Sequence, residues 1–196
     1  MTRNAGLALV LLSLLFEGGM VMADQPPRLL FDFTTAEAAR NWLTVNDGVM
    51  GGMSVGTFRW TDRQTLEFSG TLSLENNGGF ASVRCRPSRL NLQTGDTLLI
   101  RLRGDGREYS VNLYVPRPQV AFSYRAVVPT KKDEWQEVRL PLDKFQATSF
   151  GRVVPGAGPV DPAEVTALGF LLGDKKPGPF RLEVASIRVQ SAEPRK

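Results

Sequence analysis

Apolar and polar side chains alternate with a period of two through much of the chain. The clearest instance is the segment 65–74, whose apolar set is Leu66, Phe68, Gly70, Leu72 and Leu74. Successive side chains of a strand point to opposite faces, so this segment is predicted to place the apolar set on the core and the polar set in water. In the segment 80–86, Ala81, Val83 and Cys85 share one face. Cys85 is therefore predicted to be a buried, inert thiol.

Further strands are predicted at 29–33, 54–60, 97–103, 108–115, 122–128, 135–140, 167–172 and 180–189. The Asp-Gly pair within 104–107 favours a hairpin, since both residues tolerate positive φ. In the last strand the alternation slips by one near Ala185, which indicates a β-bulge. A short helix begins at Thr35, a candidate cap. The segment 151–163, with three glycines and three prolines, is predicted to be a long loop.

About ten strands with almost no helix predict an all-β fold in which two antiparallel sheets pack face to face as a sandwich. The first 23 residues are set apart from this domain. Arg3, an apolar run over 5–16 and Ala23 after Val21 form the pattern of a secretory signal peptide. The run has about 12 residues, too few for a helix that crosses roughly 30 Å of hydrocarbon.

Cleavage after Ala23 would leave a single domain at 24–196, exported to the periplasm or the extracellular space, with no stable membrane insertion. The sequence contains no histidine and one cysteine, which excludes intrachain disulfides, histidine-based triads and histidine zinc sites. The net charge of +4 comes from scattered residues, so no nucleic-acid partner is predicted. No cofactor and no metal site are predicted.

Three glycine-rich loops are candidate binding segments, and we expect them to converge at one edge of the sandwich. Their candidate contact residues are Asn46, Asp47, Met50, Gly51, Gly52, Glu75, Asn76, Asn77, Asp105 and Arg107. Glycine would let the backbone approach a partner closely, and the amides and carboxylates would supply donors and acceptors. The alternative for each loop is a tight turn with no binding role, since the same residue types dominate turns. Acids in such turns are usually solvated, so catalysis by paired carboxylates is not expected.

A polar face is the second candidate surface. Its predicted members alternate with apolar neighbours: Ser82, Arg84, Arg101, Arg103, Asn112, Tyr114, Ser123 and Arg125. From these, Arg84, Arg103 and Tyr114 are taken as candidate contacts, because arginine forks and tyrosine rings recognise carboxylates, phosphates or sugars. The alternative is an ordinary solvated sheet face.

Four sequence blocks resemble the complex I intermediate-associated protein 30 family. They lie at 46–54, 73–84, 103–109 and 178–182, the first reading Asn-Asp-Gly-Val-Met-Gly-Gly-Met-Ser. The resemblance implies a galactose-binding-like jelly roll, in which the first and last strands are neighbours. It also implies an assembly factor for respiratory complex I, with chaperone-like roles.

The expected function is therefore a non-catalytic protein-binding or assembly module, and not an enzyme. The alternative is a carbohydrate-binding module, with a glycan as the possible partner. The export pattern departs from the mitochondrial members, which work on the matrix side. The assembly role therefore transfers poorly, although a chaperone or scaffold role for an exported partner is compatible with it.

Overall fold

A computed structural model describes residues 26–118 and 121–192, and these residues form thirteen strands in two antiparallel sheets. The predicted signal segment 1–23 lies outside the described residues. The strands of sheet 1 are β1 (Arg28–Asp32), β3 (Val55–Trp60), β4 (Leu66–Leu72), β6 (Thr97–Arg103), β9 (Trp135–Pro141) and β13 (Gly178–Gln190). The strands of sheet 2 are β2 (Trp42–Thr44), β5 (Ala81–Cys85), β7 (Glu108–Tyr114), β8 (Phe122–Pro129), β10 (Gln146–Ser149), β11 (Arg152–Val153) and β12 (Ala167–Leu172).

The sheets have the strand orders β3-β4-β13-β6-β9 and β11-β10-β8-β7-β12-β5-β2, and β1 pairs with β13 beside the first path. The pairing of β1 with β13 confirms that the first and last strands are neighbours. The register of β13 on β6 shifts between Val184 and Ser186, so the predicted bulge is also confirmed. The fold is the predicted all-β sandwich.

Helical structure is limited to short pieces. One α-helix, α1 (Ala36–Ala39), follows β1, and four 3₁₀ helices span Asp47–Met50, Glu75–Asn77, Leu142–Lys144 and Pro162–Glu164. Thr35 stands at the start of α1, but its side chain makes no capping hydrogen bond.

The core lies between the sheets and is filled by the alternating apolar positions. Phe68 on β4 packs against Phe180 on β13, with ring centroids 4.9 Å apart. Trp42 on β2 stacks on Phe170 of β12 at 6.1 Å. Full burial of each large apolar side chain contributes roughly 1.5–3 kcal/mol to folding.

Cys85 lies on the core face of β5, as the alternation of apolar and polar residues predicted. It is 2% exposed, as predicted, and its sulfur accepts a hydrogen bond from the backbone N–H of Leu168 at 3.2 Å. Burial raises the pKa of the thiol, which keeps it protonated and a poor nucleophile.

Three expectations about strands are wrong. Strand β4 ends at Leu72, so Leu74 leaves the core face and is 40% exposed. Glu67, assigned to water, is buried, because Arg59 on β3 reaches across the outward face to bind it at 2.8 Å. The predicted loop 151–163 contains β11, which pairs with β10 as a hairpin.

Candidate functional site

Five loops meet at one end of the sandwich, because the ends of their strands lie side by side. Gly178, the first residue of β13, pairs with Leu72 at the end of β4. The loop that follows β6 lies against the start of β13, since Arg107 donates to the carbonyl of Gly178 and Asp105 accepts from the backbone N–H of Arg181. In sheet 2, Leu172 at the end of β12 pairs with Ala81, the first residue of β5, and with Tyr109, the second residue of β7. The loops gathered at this end are 45–54, 73–80, 104–107, 130–134 and 173–177. They include all three of the predicted candidate loops.

Asp47 joins the first two of these loops. It is fully buried, and its carboxylate accepts hydrogen bonds from the backbone N–H of Ser54 (2.9 Å), the Ser54 hydroxyl (2.6 Å), and the backbone N–H groups of Gly79 (2.6 Å) and Phe80 (3.2 Å). Burial alone would raise the pKa of this carboxyl, but these four hydrogen bonds outweigh it, and the pKa is lowered. Asp47 is therefore engaged inside the protein and does not offer its carboxylate to a partner, contrary to the prediction.

The glycines around Asp47 leave the space that its side chain occupies. A Cβ on Gly52 would lie 2.4 Å from the Asp47 Cγ, and one on Gly78 would lie 2.6 Å from Oδ2. Gly51 adopts φ +86°, a left-handed conformation that ends the 3₁₀ helix. Close backbone approach at Gly52 is thus an approach to Asp47 rather than to a partner.

Exposed polar side chains of the second loop remain available. Glu75, Asn76 and Asn77 are all exposed, and the two asparagines adopt φ of 53° and 59°, which asparagine tolerates better than most residues. Asn46 differs from them, since its Nδ2 donates to the carbonyl of Gly56 at 2.9 Å. The polar contacts offered at this loop end therefore come mainly from the 75–77 turn.

Exposed apolar side chains are concentrated on the same two loops and on Val55, the first residue of β3, which directly follows the first loop. Five of the nine large apolar side chains that the described residues expose are here, and we call them the apolar loop cluster: Val49, Met50, Met53, Val55 and Leu74. Met53 and Leu74 flank a pair of residues in contact, since the hydroxyl of Ser54 donates to the carbonyl of Ser73 at 3.1 Å. The sequence analysis named Met50 as a candidate contact but assigned Leu74 to the core face, whereas the structure exposes Leu74.

The third loop, 104–107, is fixed internally. Asp105 accepts from the Tyr109 hydroxyl at 3.2 Å and from the backbone N–H of Arg181 at 2.8 Å. Burial, followed by the charge of Asp105, raises the pKa of Tyr109, so this phenol stays protonated. Asp105 is thus a structural acceptor in the hairpin.

Arg107 ties the hairpin to the neighbouring loop. Its Nε and Nη2 donate to the two carboxylate oxygens of Asp174 at 3.0 and 2.7 Å, and both side chains are largely buried. The same guanidinium donates to the carbonyls of Lys176, Gly178 and Pro179. Hydrogen bonding by Arg107 lowers the pKa of Asp174 despite burial, which alone would raise it. Sequence reasoning missed Asp174, which lies 67 residues away along the chain.

The predicted single arginine face does not exist, because its residues lie on opposite sides of the molecule. Arg101 and Arg103 are on β6 of sheet 1, and Arg84 and Arg125 are on β5 and β8 of sheet 2. Arg103 donates to Glu183 at 2.8 Å, and its guanidinium lies 5.0 Å from the ring centroid of Trp135. Arg103 therefore belongs to an internal network on sheet 1.

The outward face of sheet 2 retains the other members of that set. Arg84 lies over the ring of Tyr114, 5.2 Å from its centroid. The small polar residues of this face are buried although they point away from the hydrophobic core: Ser82, Ser110, Asn112, Ser123 and Thr148. The larger, partly exposed side chains of this face therefore lie over a layer of small, buried polar residues.

Within 26–118 and 121–192, no group of three or more Cys, Asp or Glu side chains is arranged to hold a metal ion. Over the same residues, no helix has the length and apolar character needed to cross a membrane.

Comparison with known proteins gives two results. A family model described as complex I intermediate-associated protein 30 matches residues 31–184. The mitochondrial complex I intermediate-associated protein 30 of Mus musculus is 30% identical over 184 residues, covering 83% of this chain and 56% of the mouse protein. The protein of the same name from Drosophila melanogaster is 27% identical, covering 89% of this chain and 67% of its own length.

Solved structures agree on the architecture. A family 11 carbohydrate-binding module from Clostridium thermocellum, solved with a mixed-linked tetrasaccharide, matches with a TM-score of 0.62 at 14% identity, covering 85% of this chain and 96% of the module. An agarase matches with a TM-score of 0.59 at 13% identity over 86% of this chain and 25% of the enzyme. At these identities the likeness shows a shared two-sheet β-sandwich fold and nothing about ligands.

Proposed function

Because the chain belongs to the complex I intermediate-associated protein 30 family, we propose that it is a non-catalytic protein-binding module with an assembly-factor or chaperone-like role. The chain spans 56% of the length of the mouse relative, so the role of the whole relative is carried over only as part of this proposal. The proposed binding surface is the apolar loop cluster. We propose this cluster in place of Asp47, the contact residue that the sequence analysis had named, because the Asp47 carboxylate is buried.

One observation carries the proposal: exposed apolar side chains concentrate on two loops that Asp47 holds in a fixed arrangement. Val49 is 73% exposed and Met53 is 56% exposed. Contiguous exposed apolar surface is costly in water and marks interaction sites. Methionine side chains are flexible and polarizable, so they adapt to a partner's surface. Two loops held in place by Asp47, with flexible apolar side chains on their surface, suit the binding of another protein.

Glycan binding is the alternative, and the side chains favour it less. Sugar-binding surfaces stack aromatic rings on the sugar, and Tyr114 was the candidate ring for this. The Arg84 guanidinium already lies over that ring at 5.2 Å.

We also propose that the protein is exported and cleaved after Ala23, on the pattern of the N-terminal sequence. An assembly or chaperone role would then concern an exported partner.

The binding proposal is tested by a pair of matched double variants. Met50→Ser with Met53→Ser removes apolar surface from the loop cluster, whereas Phe150→Ser with Val153→Ser removes similarly exposed apolar surface on the β10–β11 hairpin. Each protein is cross-linked in cells of the source organism, and recovered partners are quantified by mass spectrometry. We expect the loop variant to lose at least tenfold of a specific partner and the hairpin variant to retain it. Equal recovery by both variants would refute the proposed surface.

A further inference from the structure

One row of residues crosses the outward face of sheet 2 from β10 to β2. In spatial order it consists of Gln146, Arg125, Asn112, Gly169, Arg84 and Leu43. Directly opposed residues on neighbouring strands are about 5 Å apart. The backbones of Arg84 and Arg125 are therefore separated by three strand spacings, or roughly 14 Å. Two long arginine side chains can close much of that distance over the strands between them.

Gly169 allows Arg84 to cross β12. A Cβ on Gly169 would lie 2.7 Å from the Cβ of Arg84, so any larger residue would displace the arginine. Arg84 reaches the ring of Tyr114 on β7, the strand beyond β12. On the other side, the turn of the β10–β11 hairpin lies against Arg125, since a Cβ on Gly151 would lie 3.9 Å from Nη1. Asn112 pairs with Arg125, so Tyr114, two residues further along β7, is a diagonal neighbour of Arg125 on the same face.

Neither arginine has a carboxylate partner among the described residues. The ion pairs and side-chain hydrogen bonds of that part of the chain do not include Arg84 or Arg125. Arg125 Nε is also buried without a hydrogen-bond partner. The nearest acidic residue along this face of β7 is Glu108, four residues from Asn112 and about 13 Å away at about 3.3 Å per residue.

Arg84 and Arg125 are both half-buried and have no paired carboxylate among the described residues. Burial lowers the pKa of the Arg125 guanidinium. Charged groups taken out of water are normally paired, because their desolvation is otherwise uncompensated. The contrast with Arg107 and Arg103 is direct, since each of those binds a buried carboxylate of this chain.

We propose that the Arg84–Tyr114–Arg125 site binds a carboxylate group of a ligand, held between the two guanidiniums and the Tyr114 hydroxyl. Guanidinium forks match the two oxygens of a carboxylate, and a phenolic O–H adds a third donor. Phosphate sites commonly add free backbone N–H groups, and here the amides of β5, β7, β8 and β12 belong to interior sheet pairing. The carboxylate can come from a small organic acid or from an acidic segment of a bound protein. The site is separate from the apolar loop cluster and does not depend on its proposed role.

The test observes the arginine Nε–Hε signals of ¹⁵N-labelled protein by NMR at constant ionic strength. Sodium succinate is the titrant, succinamide is the uncharged control of equal shape, and inorganic phosphate is the competitor. We expect saturable shifts with succinate at the signals that disappear in Arg84→Gln and Arg125→Gln, and no shifts with succinamide. Each of these variants should bind succinate about tenfold more weakly or worse, as expected for the loss of one charge-assisted hydrogen bond.

The matched control is Arg139→Gln, which removes an exposed arginine on β9 of sheet 1 and should bind succinate like the original protein. If Arg125→Gln does not fold, Arg125→Lys keeps the charge and removes the fork, and it should also weaken binding. Shifts that do not saturate, shifts of equal size with succinamide, unchanged affinity in folded Arg84→Gln, or tighter binding of phosphate than of succinate would each overturn the proposal. An end-blocked tetraglutamate peptide then separates the sources. Tighter binding of the peptide than of succinate indicates an acidic protein segment, and equal or weaker binding indicates a free small acid.

Discussion

Replacement of Asp47 by alanine should destabilise the fold severely, because this carboxylate holds the two loops of the apolar loop cluster together. The change removes the acceptor for the backbone N–H groups of Ser54, Gly79 and Phe80. The Ser54 hydroxyl keeps a partner in the carbonyl of Ser73. Three buried donors are left unsatisfied, at about 1–3 kcal/mol each, partly relieved if water enters.

We therefore expect Asp47→Ala to lower the free energy of unfolding by about 3–5 kcal/mol. At roughly 2–4 °C per kcal/mol for a domain of this size, the melting temperature should fall by about 10 °C. Urea denaturation at pH 7, followed by tryptophan fluorescence, measures the free energy. Glu75→Ala is the matched control, since it removes an exposed carboxylate at the same end of the sandwich and should change stability by less than about 0.5 kcal/mol.

The pH dependence gives a second readout of the same contact. The pKa of Asp47 is lowered from its ordinary value of 3.8, so the folded state favours the ionised form. Its contribution is therefore present above about pH 4 and is lost as the pH falls through the folded-state pKa. The original protein should lose stability in that acid range more steeply than Asp47→Ala.

Two results would refute this reasoning. One is a loss of less than about 1 kcal/mol in Asp47→Ala. The other is normal stability with impaired partner binding, which is the outcome that the sequence interpretation of Asp47 predicts. A parallel acid dependence in the two proteins would show that other carboxyls govern that range.

Three further predictions follow from the described contacts. Arg107→Ala should cost about 3–5 kcal/mol in urea denaturation because it leaves a buried carboxylate unpaired, whereas Arg117→Ala, which breaks a more exposed pair, should cost less than about 1 kcal/mol. Equal losses in the two variants would contradict the importance of burial. Cys85 should react with a thiol reagent at least a hundredfold more slowly in the folded protein than in urea, and rapid labelling of the native state would show that the strand face opens. Mass spectrometry of the mature protein should find Asp24 at its N-terminus, and an intact, uncleaved chain would contradict the proposed export.

Local sequence was sufficient to predict most of the strands. The alternation in 97–103 and 167–172 reproduces β6 and β12 residue for residue, and the slip near Ala185 lies where the register shifts. These features depend on the two-residue period of a strand, which neighbouring residues carry among themselves. Strands β2, β10 and β11 were missed, since two to four residues are too few to show a period.

The candidate site depended on information that the local pattern lacks. The alternation of side chains predicts which residues share a face of one strand. The sheet to which that strand belongs is set by the strands with which it forms hydrogen bonds. Arg84 and Arg103 have similar sequence surroundings, yet β5 pairs with β12 and β6 pairs with β13, which puts them on opposite sides of the molecule. The predicted arginine face was wrong for this reason.

Asp47 shows the same limit at a single residue. Its sequence context, Asn-Asp-Gly, is that of an exposed turn, and only the tertiary structure brings the backbone of Gly79 and Phe80, more than 30 residues away, to its carboxylate. Arg107 and Asp174 meet in the same way. The sequence by itself determined most of the strands, most of the buried apolar positions and the loops rich in glycine. The tertiary structure decided which polar side chains are paired inside the protein and which, like Arg84 and Arg125, have no carboxylate partner among the described residues. The physical reason is that hydrogen bonds and ion pairs depend on distance in space and not on distance along the chain.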